Sequence, residues 1–198
     1  MSDTRRLPEL KPVERRTFLR YSLIGGTAAG LGVFGAGVLG FLWPNLSGGF
    51  GANINLGNAE EILAEIRANR APFVYPSGRM YVVEYNPSLP GADEAYGDIG
   101  VPVGNAGLMA LYHKCVHLGC RVPWCQTSQW FECPCHGSKY NKWGEWTGGP
   151  APRGLDRFPA TLDADGNLNV NTGTIIPGPA RTARVLQQEP EGPNCVDL

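Results

Sequence analysis

The chain has 198 residues, enough for one modest domain with extensions, and only 18% of them are charged, which is low for a fully soluble surface. Seventeen Lys and Arg against 18 Asp and Glu leave a net charge of −1, so nothing suggests a nucleic-acid partner. High Gly (27) and Pro (17) favour a loop-rich β domain over a helical bundle, and six Cys point to metal or redox work or, in an exported chain, also to disulfides.

Residues 1–20 are polar and basic, with Arg5, Arg6, Lys11, Arg15, Arg16 and Arg20. The run Arg15-Arg16-Thr17-Phe18-Leu19-Arg20 resembles a twin-arginine export signal. Residues 21–43 carry no charge. At ~1.5 Å per residue they are long enough to cross a hydrocarbon core of ~30 Å as one transmembrane helix. Gly26 with Gly30, and Ala36 with Gly40, would let a second helix approach closely. Trp43 is placed as an interfacial aromatic and Pro44 as the helix stop. Lys and Arg lie before this segment and next recur at Arg67, so the N-terminus is expected in the cytoplasm and the rest outside a bacterial cytoplasmic membrane. A cleaved signal peptide is the alternative. The apolar run exceeds a typical signal core and no Ala-x-Ala site follows, which favours a retained anchor.

Residues 44–58 show neither helical nor strand period and read as a flexible tether. A domain is expected over residues 59–172. It should open with a short amphipathic helix over 59–70, with Ile62, Leu63 and Ile66 on one face. Strands are expected over 80–85, 108–112 and 129–132, with a further strand or turn over 140–146. Residues 86–107 read as a long irregular insertion. Residues 157–162 and 167–171 flank Asp163-Ala164-Asp165-Gly166 and read as a hairpin. Residues 173–198 are Pro- and Gly-rich and are expected to wrap over the surface or trail. There is no P-loop, nucleotide fingerprint or internal repeat.

Two motifs carry the chemistry. Cys115-Val116-His117-Leu118-Gly119-Cys120 and Cys133-Pro134-Cys135-His136-Gly137-Ser138-Lys139-Tyr140 each offer a thiolate and an imidazole on a tight loop. Two sulfurs and two nitrogens suit either tetrahedral zinc or a 2Fe–2S centre with two His in place of two Cys. Cys120 and Cys135 are left over within the motifs; a zinc site has no use for them. His113 lies outside both and reads as a structural or exposed histidine.

Over about residues 108–155 the chain resembles the Rieske iron–sulfur proteins, in particular the quinol-oxidising branch of cytochrome bc and bf complexes. Val116 stands where Thr is common in that family. The resemblance implies a mainly β, antiparallel head domain whose cluster loops (113–155) hold one 2Fe–2S cluster. Cys115 and Cys133 would ligate one iron, and His117 and His136 the other. It implies a Cys120–Cys135 disulfide, hydrogen bonds from Ser138 to a bridging sulfide and from Tyr140 to Cys133, a sharp turn at Gly137, and a covering third loop, Gly149-Pro150-Ala151-Pro152. His136 would face the quinol. Leu118 would pack on the quinol pocket of a b-type cytochrome partner, if it is not a core residue. A c-type cytochrome or equivalent would receive the electron. The small subunit of an arsenite oxidase-like enzyme is the alternative within redox chemistry, and a structural zinc module the alternative outside it. Cys125 and Cys195, which the family pattern does not use, should both face the oxidising side and are expected to form a second disulfide clamping the tail, with two unpaired thiols or pairing to another subunit as the alternatives.

Overall fold

The computed structural model describes residues 14–43 and 50–197. Pro44, the first residues of the expected tether and the basic positions Arg5, Arg6 and Lys11 lie outside the described residues.

The chain divides into two units. The first is helix α1, Arg15–Leu42. It begins six residues before the expected start at 21, because nothing between Arg15 and Tyr21 breaks a helix. It therefore includes the Arg15-Arg16 pair. Among the described residues it is the one helix long and apolar enough to cross a membrane. Its side chains are almost all exposed, with no helical period of burial.

The second unit is an antiparallel β structure in three sheets. Strand β3 (Met80–Tyr85) lies between β2 (Phe73–Tyr75) and β5 (Ala106–Tyr112). On its other edge β5 pairs first with β4 (Val101–Val103) and then with β10 (Arg157–Phe158). Side chains alternate across a strand, and here both faces are covered. Met80, Val82, Leu108, Ala110 and Tyr112 join one core; Tyr81, Val83, Tyr85, Met109 and Leu111 join the other. That two-sided burial is why β5 reads as an unbroken apolar run.

The first core is roofed by α2 (Ala59–Asn69), through Ile62, Leu63 and Ile66, as its spacing predicts. Asn58 caps the helix, accepting from the backbone N of Glu60 at 2.9 Å and of Glu61 at 3.2 Å. A three-stranded sheet, β1 (Asn53–Asn58), β12 (Asn167–Asn171) and β11 (Ala160–Leu162), closes the same core with Ile54, Leu168 and Val170. Residues 53–58, expected in the tether, are thus a strand in register with β12, Ile54 opposite Val170. The span expected as one strand over 157–162 is split at Pro159. Phe158 pairs with Ala110 in the central sheet and Ala160 with Val170 in the other.

The expected insertion, 86–107, is also largely ordered. It holds helix α3 (Ala92–Tyr96) and β4, and buries Ala92, Tyr96, Val101 and Val103. Its Pro and Gly mark turns between packed pieces. The second core carries the cluster-loop subdomain, the sheet β6 (Trp124–Cys125), β7 (Trp130–Glu132), β8 (Lys139–Tyr140) and β9 (Trp146–Gly148). The tail packs across this subdomain: Leu186 is buried, and Cys195 is joined to Cys125.

Candidate metal centre

Strand β5 delivers the first motif and β7 the second, so each loop starts from a buried strand. The two loops then fold in the same way. In the first, Cys115 N donates to Cys120 O (2.7 Å) and Gly119 N to Cys115 O (2.9 Å). In the second, Cys133 N donates to Ser138 O (2.8 Å) and Gly137 N to Cys133 O (3.0 Å). The fifth residue of each turn is a glycine in the left-handed region, Gly119 at φ +87° and Gly137 at φ +71°. Residues with a Cβ enter that region at a cost, which is what glycine avoids. Two copies of one turn thus face each other. The repeat is invisible to sequence comparison, because the histidine is third in one turn and fourth in the other.

Cys115 and Cys133 are unpaired and 1% exposed. Burial, then the neighbouring Cys115 thiol, pushes the Cys133 thiol above its ordinary value. A buried neutral thiol gains little here, whereas a cation would favour the thiolate of both. The rings of His117 and His136 meet edge to face, 4.8 Å between centroids. His117 is half-buried and His136 exposed. Cys120 and Cys135 are joined, and their sulfurs lie within 4.8 Å of the Cys133 sulfur. The disulfide therefore ties the two loop tips beside the donors and takes its own sulfurs out of ligation. What remains is two thiols and two imidazoles. This donor set fits a 2Fe–2S group with mixed ligation.

Polar groups surround the sulfurs. Tyr140 Oη lies 3.2 Å from Cys115 Sγ. Cys133 was the expected partner. Tyr140 sits opposite Phe131 in the β7–β8 pair, so its ring projects into the second core and carries the hydroxyl across to the first loop. Burial pushes that phenol well above its ordinary pKa, and the adjacent Cys115 adds to the effect, so it stays a donor. Ser138 is fully buried, and its Oγ accepts from Ala151 N at 3.1 Å. Its hydroxyl proton is then free to point elsewhere.

The third loop lies on the second. A Cβ at Gly149 would stand 2.5 Å from Gly137 O and from Ser138 Cα, so only glycine permits this approach. Pro150 and Pro152 are exposed, with Ala151 buried between them. Leu118 is 70% exposed at the tip of the first loop, which excludes the core alternative for it. The His113 ring stacks on Tyr112, 5.9 Å between centroids, and meets Tyr81 edge to face at 6.2 Å. Burial lowers its pKa, with Arg121 and Arg79 adding to the effect. A cleft of about 390 Å3 elsewhere, bounded by α2, Trp124 and Trp143, contains no sulfur or imidazole.

Three anchoring residues carry no signal in the sequence. Buried Glu145 accepts from Val185 N and Leu186 N at 3.0 and 3.1 Å. Buried Glu132, next to Cys133, accepts from Cys195 N and Val196 N at 2.8 Å each. Arg181 donates to the carbonyls of the third loop. Their partners are 30 to 64 residues away, so no local pattern reveals them.

Residues 93–159 match the family model of the Rieske [2Fe-2S] domain. The chain is 33% identical to cytochrome b6-f complex iron-sulfur subunit 2 of Synechocystis sp., over 84% of this chain and 89% of that one. It is 31% identical to the chloroplastic cytochrome b6-f complex iron-sulfur subunit of Volvox carteri, over 83% of this chain and 76% of that one. With the corresponding subunit of Synechococcus sp. strain WH7803 the identity is 34%, over 76% and 81%.

Proposed function

This chain belongs to the Rieske iron–sulfur subunits of the bc- and b6-f-type oxidoreductases, and on that premise we propose that it is the electron-transfer subunit of a quinol-oxidising membrane complex. Its cofactor is one Rieske-type 2Fe–2S cluster. The observation that carries the reading is the pair of matching turns, which bring Cys115, Cys133, His117 and His136 together beside a disulfide.

Cys115 and Cys133 would hold one iron and His117 and His136 the other. When bound, the cluster accepts one electron, at a potential raised by the two neutral imidazoles to roughly −150 to +300 mV. The residues of the chain do the rest. His136 is exposed and would present its outer ring nitrogen to the quinol hydroxyl as a hydrogen-bond partner. Leu118 on the first loop, and Pro150 and Pro152 on the third, offer exposed apolar surface that would seat against a b-type cytochrome subunit and exclude water there. Tyr140 reaches Cys115 sulfur and the Ser138 hydroxyl would donate to a sulfur of the bound cluster, and both bonds would favour the reduced state. A c-type cytochrome or equivalent carrier receives the electron. Helix α1 anchors the chain, with the N-terminus cytoplasmic and the β unit on the outer side. Arg15-Arg16 serves as an export signal for the loaded domain.

Purified protein should contain two iron atoms and two acid-labile sulfides per chain. Cys133→Ser and His117→Ala should each lose both, together with the visible colour. One zinc per chain and no iron would sink the proposal.

A further inference from the structure

The tail reaches the third loop through one side chain. Arg181 Nε donates to Ala151 O at 2.7 Å and Arg181 Nη2 to Gly149 O at 3.2 Å. Its guanidinium carbon lies 4.5 Å from the centre of the Trp146 ring, and Trp146 Nε1 donates to the same Gly149 O at 3.2 Å. Arg184 also lies over that ring, at 5.3 Å, and Arg184 Nη2 donates to Thr147 O at 3.3 Å. The tail backbone is stitched to the same stretch, Gly154 N donating to Pro179 O at 2.8 Å. A planar fork that spans two carbonyls while stacking on an indole is a task for arginine, which lysine cannot reproduce.

Ala151 links this grip to the centre. Its carbonyl accepts from Arg181, and its own N–H donates to Ser138 Oγ at 3.1 Å. That bond occupies one lone pair of the Ser138 oxygen and so limits where its hydroxyl proton can point. Arg181 therefore acts on the donors through two intermediaries and touches neither sulfur nor imidazole.

We propose that Arg181 is a positioning residue for electron transfer. It fixes the third loop on the second, and thereby holds the Ser138 hydroxyl in the orientation that favours the reduced cluster. The inference rests on the reading above, in which the cluster lies between the two turns.

The test uses the full chain with its cluster, comparing wild type, Arg181→Lys, Ser138→Ala and the double variant by iron and sulfide content and then by redox titration. Lysine keeps the positive charge, so a shift in Arg181→Lys reports the lost fork and not the lost cation. With cluster content unchanged, Arg181→Lys should lower the equilibrium constant for reduction about tenfold, ~59 mV for one electron. In the Ser138→Ala background the same change should add little, since residues in one hydrogen-bonded chain are not additive. An unaltered potential in loaded Arg181→Lys would overturn the inference, as would a full second shift in the double variant. If Arg181→Lys loses its cluster, Trp146→Phe decides. It removes the second donor to Gly149 O and should shift the potential the same way; a loaded Trp146→Phe at the wild-type potential counts against the inference. Absence of iron and sulfide from the wild type would instead strike the reading on which it rests.

Discussion

Two hydroxyls, of Ser138 and Tyr140, enter the centre from one short stretch of chain, yet they depend on different loops. Tyr140 reaches Cys115 sulfur and Ser138 is held by Ala151. Tyr140→Phe keeps the ring that fills the second core and removes one donor to a charged sulfur. The loss is on the order of 1–2 kcal/mol, so the reduction potential should fall while iron content stays constant. Redox titration of the variant checks this, and an unchanged midpoint would remove Tyr140 from the set of donors. The candidate donors could be picked out locally, because Cys-x-His and Cys-x-x-His are short motifs. The sulfur to which Tyr140 belongs could not. Which of two loops a ring crosses to is fixed by strand pairing, and spacing along one chain does not report it. Arg181 was hidden for the same reason, 30 residues from its acceptor.

At the scale of elements, α2 and the turn between β11 and β12 show how side chains close local structure. Asn58→Ala removes the cap of α2 and should cost about 1 kcal/mol, read as a lower denaturation midpoint with an unchanged slope. In the turn, Asp163 Oδ1 accepts from Asn167 N at 2.8 Å and from Asp165 N at 3.0 Å. The Asn167 backbone bond foremost, then its side-chain amide, holds the Asp163 carboxyl below its ordinary pKa. A carboxyl with a depressed folded pKa stabilises the fold above its unfolded value, about 3.9, and that contribution is lost as pH falls through the folded value. Asp163→Ala should therefore be less stable than wild type near neutrality, and the gap should shrink under acid. Unfolding curves at neutral and at acid pH test the sign; a gap that widens under acid would contradict it. The β3 and β5 strands were readable because they are apolar on both faces. Strand β1 was not. Its exposed face is Asn53 and Asn55, and Asn is depleted in strands, so the alternation that buries Ile54 looked like a loop. Residues 86–107 misled in the same way. Ala92 and Tyr96 are buried by distant partners, among them Glu145, the acceptor of the Tyr96 hydroxyl.

For the whole molecule the tail is the organising strap. Its sequence is Pro- and Gly-rich and apolar only in patches, so composition could not say whether it wraps or trails. Packing settles that it wraps, through Arg181 on the third loop, Glu145 on residues 185–186, and Glu132 with Cys125 on residues 195–196. The Cys125–Cys195 link spans 70 positions. In the chain-entropy model such a link is worth about 4 kcal/mol. Cys195→Ser should therefore lower stability by up to about that amount and open the tail to limited proteolysis ahead of the β core. Equal protease resistance in the two proteins would show that the strap holds without its bond. The order of synthesis gives the strap a further consequence. Cys135 leaves the ribosome 60 residues before Cys195, an interval of about 3 to 12 seconds at roughly 5–20 residues per second. For that time the chain carries all four candidate donors or their immediate neighbours while the segment that braces them is still being made. The strap is late by construction, so the segments that carry the donors are always made before the segment that locks them.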